Sequence, residues 1–171
     1  MKPTRGLACA FLVLSAGACG TDVLAPEDLP ADLRPPELSI ASWDRVVRDG
    51  FSFALPPGFV KREGTPIDSD AASYAREDDD LHYDYGAYSG RWHATSNKPV
   101  SEIREAWVRL GGRTAQLVSY RLDGRYVIRA WWENVGRAPG LGDLHLVVRG
   151  ESETEAGRRE LLAVIHSVRF D

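Results

Sequence analysis

Apolar and polar residues alternate in many short runs after residue 38, which is the pattern of half-buried β-strands. In one such run Leu81, Tyr83 and Tyr85 fall on one side, while His82 and Asp84 fall on the other. Strands are predicted over residues 38–47, 51–55, 71–76, 81–89, 113–121, 125–135 and 144–149. The pattern therefore predicts a sheet with one apolar and one polar face.

Turn signals between these runs predict how the strands connect. Asp-Gly pairs at 49–50 and 123–124 each separate two runs, and this dipeptide favours tight hairpins. The acidic residues 77–80 form a third turn, and residues 136–142 are expected to form a loop. Because hairpins join antiparallel strands, the sheet is expected to be mostly antiparallel.

Residues 100–110 fit two patterns, one helical and one extended. The helical spacing is provided by Val100, Ile103, Trp107 and Leu110. Ala106 and Val108 alternate instead like residues of a strand that leads into a pair of glycines. A brief helical turn followed by a strand is our expectation for this stretch.

The end of the chain carries the clearest helix signal. Ser152 and Glu155 have the spacing of a capping box, and Leu161, Leu162 and Ile165 form an apolar stripe. The last residues are expected to dock on the sheet. These elements predict an α+β domain, with a mostly antiparallel sheet of about 6–7 strands and a C-terminal helix packed on it.

The N-terminus has the pattern of an export signal. Lys2 and Arg5 precede an apolar run that ends in small residues before Cys19. This run is shorter than the roughly 20 apolar residues that span a bilayer. Residues 1–18 are therefore predicted to be a signal peptide. Cleavage after Ala18 fits ordinary secretion, and the segment before Cys19 also resembles a bacterial lipobox, with Ala16 where the family prefers leucine.

Cysteine usage favours the lipoprotein interpretation. The chain has two cysteines, and Cys9 lies inside the predicted signal. Cys19 would then be a lone terminal thiol in an oxidising compartment, which is unusual for a structural cysteine. We expect Cys19 to carry fatty acyl chains such as palmitate. These would anchor the protein at a bacterial membrane, on the periplasmic or cell-surface side.

Proline and acidic residues dominate the next segment. Residues 19–37 contain four prolines and no helical or strand period, so we expect an extended tether after the lipidated cysteine. The alternative is an ordered edge strand, with Val23, Leu24 and Leu29 docked on the domain. The globular domain is expected to cover residues 38–171.

Charge and motifs limit the possible partners. The formal net charge is −4, and it becomes −6 when the predicted signal leaves with its two basic residues. An acidic chain without a basic run argues against nucleic acid as a partner. No cofactor fingerprint or hydrolase motif is present, so no cofactor is expected. The expected partners are membrane lipid, through the Cys19 anchor, and another envelope protein.

Two sets of residues are candidates for chemistry. The acidic turn 77–80 with His82 and Asp84 is a candidate metal site, but consecutive carboxylates on a turn point in different directions, so we favour a solvated turn. The second set lies on the polar side of the predicted strands, where an acid–base site is possible. Its members are His82, Asp84, Arg129, Trp131, Glu133 and His145, with Arg149 beside them. The alternative is a solvent face shaped by cross-strand pairing. The chain also has more large aromatic residues than one face of the sheet can bury, so some are expected to be exposed on a partner or ligand surface. They are Trp92, Trp107, Trp131, Tyr83, Tyr85 and Tyr88.

Three segments together resemble the Mog1/PsbP-like superfamily as it occurs in bacterial lipoproteins. They are residues 50–59 (GFSFALPPGF), 110–117 (LGGRTAQL) and 162–170 (LAVIHSVRF). The resemblance covers about residues 38–171. It implies an antiparallel sheet with packed helices, and an accessory, assembly or binding role without a shared catalytic set. We therefore expect a lipid-anchored, non-catalytic binding or assembly module. The alternatives are an envelope hydrolase or metal-dependent enzyme using the polar face, or a small-ligand carrier.

Overall fold

Two β-sheets and one α-helix make up the part of the chain that the structure describes. The computed structural model describes residues 22–64, 69–93 and 99–171. The strands are β1 (Val23–Leu24), β2 (Asp44–Arg48), β3 (Phe51–Leu55), β4 (Val60–Lys61), β5 (Asp70–Arg76), β6 (Asp79–Gly86), β7 (Val100–Leu110), β8 (Arg113–Leu122), β9 (Arg125–Ala138), β10 (Gly142–Ser152) and β11 (Arg169–Phe170). The helix α1 spans Glu155–His166, and a single 3-10 turn spans Pro26–Asp28.

The larger sheet has eight strands, in the order β1-β7-β8-β9-β10-β6-β5-β4. Strand β1 pairs parallel to β7, and every other neighbouring pair is antiparallel. The smaller sheet has the order β11-β3-β2. Helix α1 contacts β9, β10 and β3, so the helix and the small sheet cover the same face of the large sheet. The domain is therefore α+β, with a mixed sheet and a C-terminal helix packed on it.

An aromatic cluster joins the two sheets. Phe51 and Phe53 of β3 pack edge-on against Tyr83 of β6, with ring centroids 5.4 and 5.9 Å apart. Arg48 binds the Asp70 carboxylate through Nη2–Oδ1 (2.5 Å) and Nε–Oδ2 (2.9 Å), and Tyr83 donates its hydroxyl to Oδ1. Burial opposes ionisation of Asp70, but these hydrogen bonds and the Arg48 charge outweigh it and lower the pKa of that carboxyl. This edge of the core thus combines apolar packing with a satisfied ion pair.

The predicted hairpins and the alternating faces are confirmed. Strands β2 and β3 pair across Asp49-Gly50, and β8 and β9 pair across Asp123-Gly124. On β6, Leu81 and Tyr83 are buried in the core, as their alternation predicted. The C-terminal strand β11 pairs with β3, so the end of the chain does dock on a sheet.

The predicted helical turn at the start of residues 100–110 is wrong, because β7 is extended over this whole stretch. Its register with β8 shifts between Ser101 and Arg104, and Glu102 adopts a φ of 54°. A β-bulge of this kind inserts one residue and breaks the period of two. The resulting three-residue spacing between Val100 and Ile103 resembles one helical turn in the sequence.

Two boundaries and the number of strands also differ from expectation. The predicted loop 136–142 is shorter, because β9 extends to Ala138 and β10 begins at Gly142. The helix cap is Thr154, whose Oγ1 accepts from the Gly157 amide at 3.0 Å. Ser152 is instead the last residue of β10. The described chain also has more strands than the 6–7 expected, because β1, β4 and β11, which are only two residues long, each add a strand to a sheet.

The expectation of an extended, unpaired tether is wrong for its described part from Val23 to Leu33. Strand β1 pairs with β7, and Leu29 and Leu33 are completely buried in the main core. The carbonyl oxygen of Asp32 accepts from Arg158 of α1 at 2.8 Å, and that of Leu33 lies 3.0 Å from His166 Nε2. Two leucines four residues apart therefore fix this proline-rich segment against the helix. Residues 1–18 and Cys19 lie outside the described residues.

Candidate functional site

The polar residues singled out from the sequence share the face of the large sheet that lies away from α1, here called the outer face. Strand register places three of them directly across from one another, in the order His82, Arg149 and Arg129, and Ser73 continues the row beside His82. A neighbouring row contains Asp84, Val147 and Trp131. The structure therefore does bring most of the predicted site residues onto one surface.

His82 lies half-buried in the first row. Its Nδ1 is 3.0 Å from Ser73 Oγ, and a surface pocket of about 180 Å³ opens beside it. Burial lowers the pKa of His82; Asp84 acts in the opposite direction and Arg149 in the same direction as burial. The imidazole is therefore more strongly neutral at pH 7 than an exposed histidine. One Asp84 oxygen, Oδ1, is buried without a hydrogen-bond partner among the described residues.

Residues 87–93, here called the covering loop, lie over the outer face. The indole Nε1 of Trp131 donates to the Ser89 carbonyl at 2.9 Å, and the Arg129 guanidinium donates to the Gly90 carbonyl. Burial lowers the pKa of Arg129, and the nearby Arg149 charge acts in the same direction. Trp131 and Arg129 of the predicted site therefore bind the covering loop.

A second small core lies under the covering loop. Val118 and Val127 are fully buried there, and the ring of Trp92 stacks on Tyr120 with centroids 5.6 Å apart. Gln116, which is buried, accepts from the Trp92 amide and donates to Glu105 at 2.7 Å. The middle of the sheet is therefore covered on both faces, as a core is.

This second core was not predicted from the sequence, although a signal for it was present. Six consecutive residues of β8, from Ala115 to Tyr120, are all buried. A strand with one wet face needs polar residues at every second position, whereas Val118, Val127 and Val147 on the outer face are apolar. Those three valines indicated that something covers the polar side.

The last two predicted site residues lie at the margin of the outer face. His145 stacks on Trp131 with ring centroids 5.8 Å apart, and its Nδ1 accepts from the Asn134 amide at 3.3 Å. Glu133 is exposed. His145 therefore supports the position of Trp131, and Glu133 stands apart from the His82 row.

The acidic turn is bound by arginines. Asp79 contacts Arg76 at 2.6 Å, and Asp80 contacts Arg62 at 2.8 Å and Arg125 at 3.4 Å. Arg76 also reaches Glu160 of α1, which ties the turn to the helix. Within residues 22–64, 69–93 and 99–171, no group of three or more histidine, cysteine or carboxylate side chains is placed to hold a metal ion. The run thus serves to connect the β5–β6 hairpin to its surroundings.

No helix in the described part of the chain is long and apolar enough to cross a membrane. No protein-family model matches the chain. A search of curated proteins likewise finds no match.

Proposed function

We propose that the chain is a lipid-anchored protein of the bacterial cell envelope, and that its α+β domain is a non-catalytic binding or assembly module. The anchor would be Cys19, after removal of residues 1–18. The observation that carries the proposal is the basic start and short apolar run that end in small residues before Cys19. Pairing of β1 with β7 then sets the distance between the anchor and the domain. Only residues 20–22 separate Cys19 from this strand, so the module would be held close against the membrane.

The hydrogen bonds made by side chains of the outer face support a non-catalytic role. An acid–base site needs side chains whose hydrogen-bonding groups point at a substrate. Here Trp131 and Arg129 donate to carbonyls of the covering loop, and Gln116 binds Trp92 and Glu105. These groups stabilise the domain itself.

A Mog1/PsbP-like fold is part of the same proposal. The three segments that carry the resemblance meet at one end of the domain, although they are distant in sequence. Phe51 of β3 pairs with Phe170 of β11, and a Cβ on Gly111 would lie 2.7 Å from the Val168 carbonyl oxygen. Their close packing is a structural reason for these motifs to occur together.

Lipidation of Cys19 is tested by expressing the full chain in a bacterium and measuring intact mass and detergent partitioning. The expected result is loss of residues 1–18, added acyl mass and entry into the detergent phase. Cys19→Ala should abolish the acyl mass and the partitioning, because it removes the attachment atom. Cys9→Ala is the matched control and should behave like the wild type, because Cys9 lies within the part removed. A soluble wild-type protein without added mass would refute the anchor.

A further inference from the structure

We infer that the pocket between the β7–β8 turn and the C-terminal end of α1 binds a phosphate-type oxyanion, the group shared by phospholipid headgroups and soluble phosphate esters. The pocket has a volume of about 300 Å³. Its walls include Arg109, Gly112, His166 and Arg169, with Pro26 on one side. This inference names a ligand class for the proposed binding module, and it rests on that proposal only for the source of the phosphate.

The charge of the pocket is the first argument. Two arginines line it and no carboxylate does, although the chain as a whole is acidic. Neither Arg109 nor Arg169 forms an ion pair with a carboxylate of the described residues, whereas Arg48, Arg76 and Arg158 all do. An unpaired pair of guanidinium groups attracts an anion, and their planar forks match phosphate oxygens.

The remaining donor capacity of the arginines is the second argument. Arg109 uses Nη1 to bind the Gly112 carbonyl at 3.2 Å. Arg169 uses Nη1 to bind the His166 carbonyl at 3.0 Å and the Val168 carbonyl at 2.7 Å. These bonds orient both side chains, and the bond from Arg169 to the His166 carbonyl offsets the negative end of the helix dipole. The Nε and Nη2 groups of both arginines make no hydrogen bond within the described residues and remain available to an oxyanion.

The glycine turn supplies room for close approach. Gly111 and Gly112 both have positive φ, at 60° and 82°. A Cβ on Gly112 would meet nothing within 4 Å, so a ligand can reach this backbone without a side chain in the way. Burial lowers the pKa of His166, with its bond to Leu33 acting in the opposite direction, so the arginines carry the charge at neutral pH.

The position of the pocket relative to the anchor favours a lipid source. Pro26 is the seventh residue after Cys19. At about 3.5 Å per residue, the pocket wall lies at most about 25 Å of chain from the attachment atom. The phosphates of an anionic membrane are therefore within reach of the pocket once the protein is anchored.

The test follows the Gly111 and Gly112 amides by NMR in the mature protein, purified in neutral detergent. Titration with inorganic phosphate should shift both signals. Arg109→Gln should weaken this binding about tenfold, because it removes a charge-assisted contact. Arg109→Gln/Arg169→Gln should abolish it. Arg159→Gln, an exposed arginine of α1 outside the pocket, is the matched control and should bind like the wild type. Arg109→Gln alone keeps the helix-end contacts of Arg169, so the test does not depend on the fold of the double variant.

A second arm distinguishes the two sources. The protein is placed on vesicles of phosphatidylcholine alone, or of phosphatidylcholine with phosphatidylglycerol, and hydrogen exchange of the two glycine amides is measured. Extra protection with phosphatidylglycerol, lost in Arg109→Gln, identifies the headgroup as ligand. Phosphate binding without that protection supports a soluble phosphate ester. If phosphate shifts neither signal, or if Arg159→Gln loses binding as much as Arg109→Gln does, the inference is wrong. The phosphate arm is independent of lipidation, so failure of the anchor and failure of the pocket give different results.

Discussion

Leu33→Ala is expected to lower the free energy of unfolding by about 3 kcal/mol. Leu33 is completely buried and belongs to the main core, beside α1. Truncation removes the transfer free energy of the lost methyl and methylene groups, and it leaves a cavity that the surrounding helix and sheet fill only in part. A denaturant titration of the variant against the wild type measures the change.

Leu141→Ala is the matched control, because Leu141 is 53% exposed and the substitution removes the same atoms. It should change the free energy of unfolding by no more than about 0.5 kcal/mol. If Leu33→Ala is as neutral as the control, the segment from Val23 to Leu33 does not pack on the domain. The extended tether expected from its prolines would then be the correct description of it.

Gly150→Val is expected to cost about 2–3 kcal/mol, through overpacking between β10 and α1. A Cβ on Gly150 would lie 2.7 Å from Leu161 Cδ2 and 3.0 Å from its Cβ. The Cβ of Leu161 is tied to the helix backbone, so rotation of the side chain does not relieve the overlap. Valine is the better strand former, but that preference is worth no more than about 1 kcal/mol, so the overlap decides the sign.

Gly64→Val is the matched control, since a Cβ there would meet nothing within 4 Å. Its unfolding midpoint in denaturant should stay close to that of the wild type, whereas the midpoint of Gly150→Val falls. Equal stability of the two variants would mean that α1 does not approach β10 as closely as the structure shows.

The central sheet was predictable where the alternation of a strand and the residues of its turns indicated the same element. Strand β6 alternates strictly, and Asp-Gly turns fix the β2–β3 and β8–β9 hairpins, so the period of two and the turn residues predicted the same strands there. The C-terminal helix was predictable for the same reason. Its cap was assigned two residues early because Ser152 and Thr154 are both good capping residues.

The remaining errors arose where distant contacts override local pattern. A bulge at Glu102 disturbed the period of β7, and no local residue marks it. Proline composition indicated a free segment, but Leu29 and Leu33 gain more from burial beside α1 than an extended chain offers. Such partners lie more than a hundred residues away in the sequence, so only the folded chain shows them.

The candidate site illustrates the same limit. Placement of His82, Asp84, Arg129 and Trp131 on one face followed from alternation alone, and the structure confirms it. The covering loop makes Arg129 and Trp131 unavailable to a substrate, because both side chains donate hydrogen bonds to its carbonyl groups. Loop position depends on tertiary contacts, which a period of two does not encode. The part of the outer face around Arg129 and Trp131 is accordingly a packed layer of the domain.

The central claim is that the folded domain sits close to the membrane, because the chain folds from Val23 onward. Neutron reflectometry of the mature protein on a supported bilayer tests it most directly. Four residues from Cys19 to Val23 span at most about 14 Å, so protein density should begin within about 15 Å of the headgroups. A water-filled gap of about 50 Å, the reach of an extended segment over residues 20–37, would contradict the account.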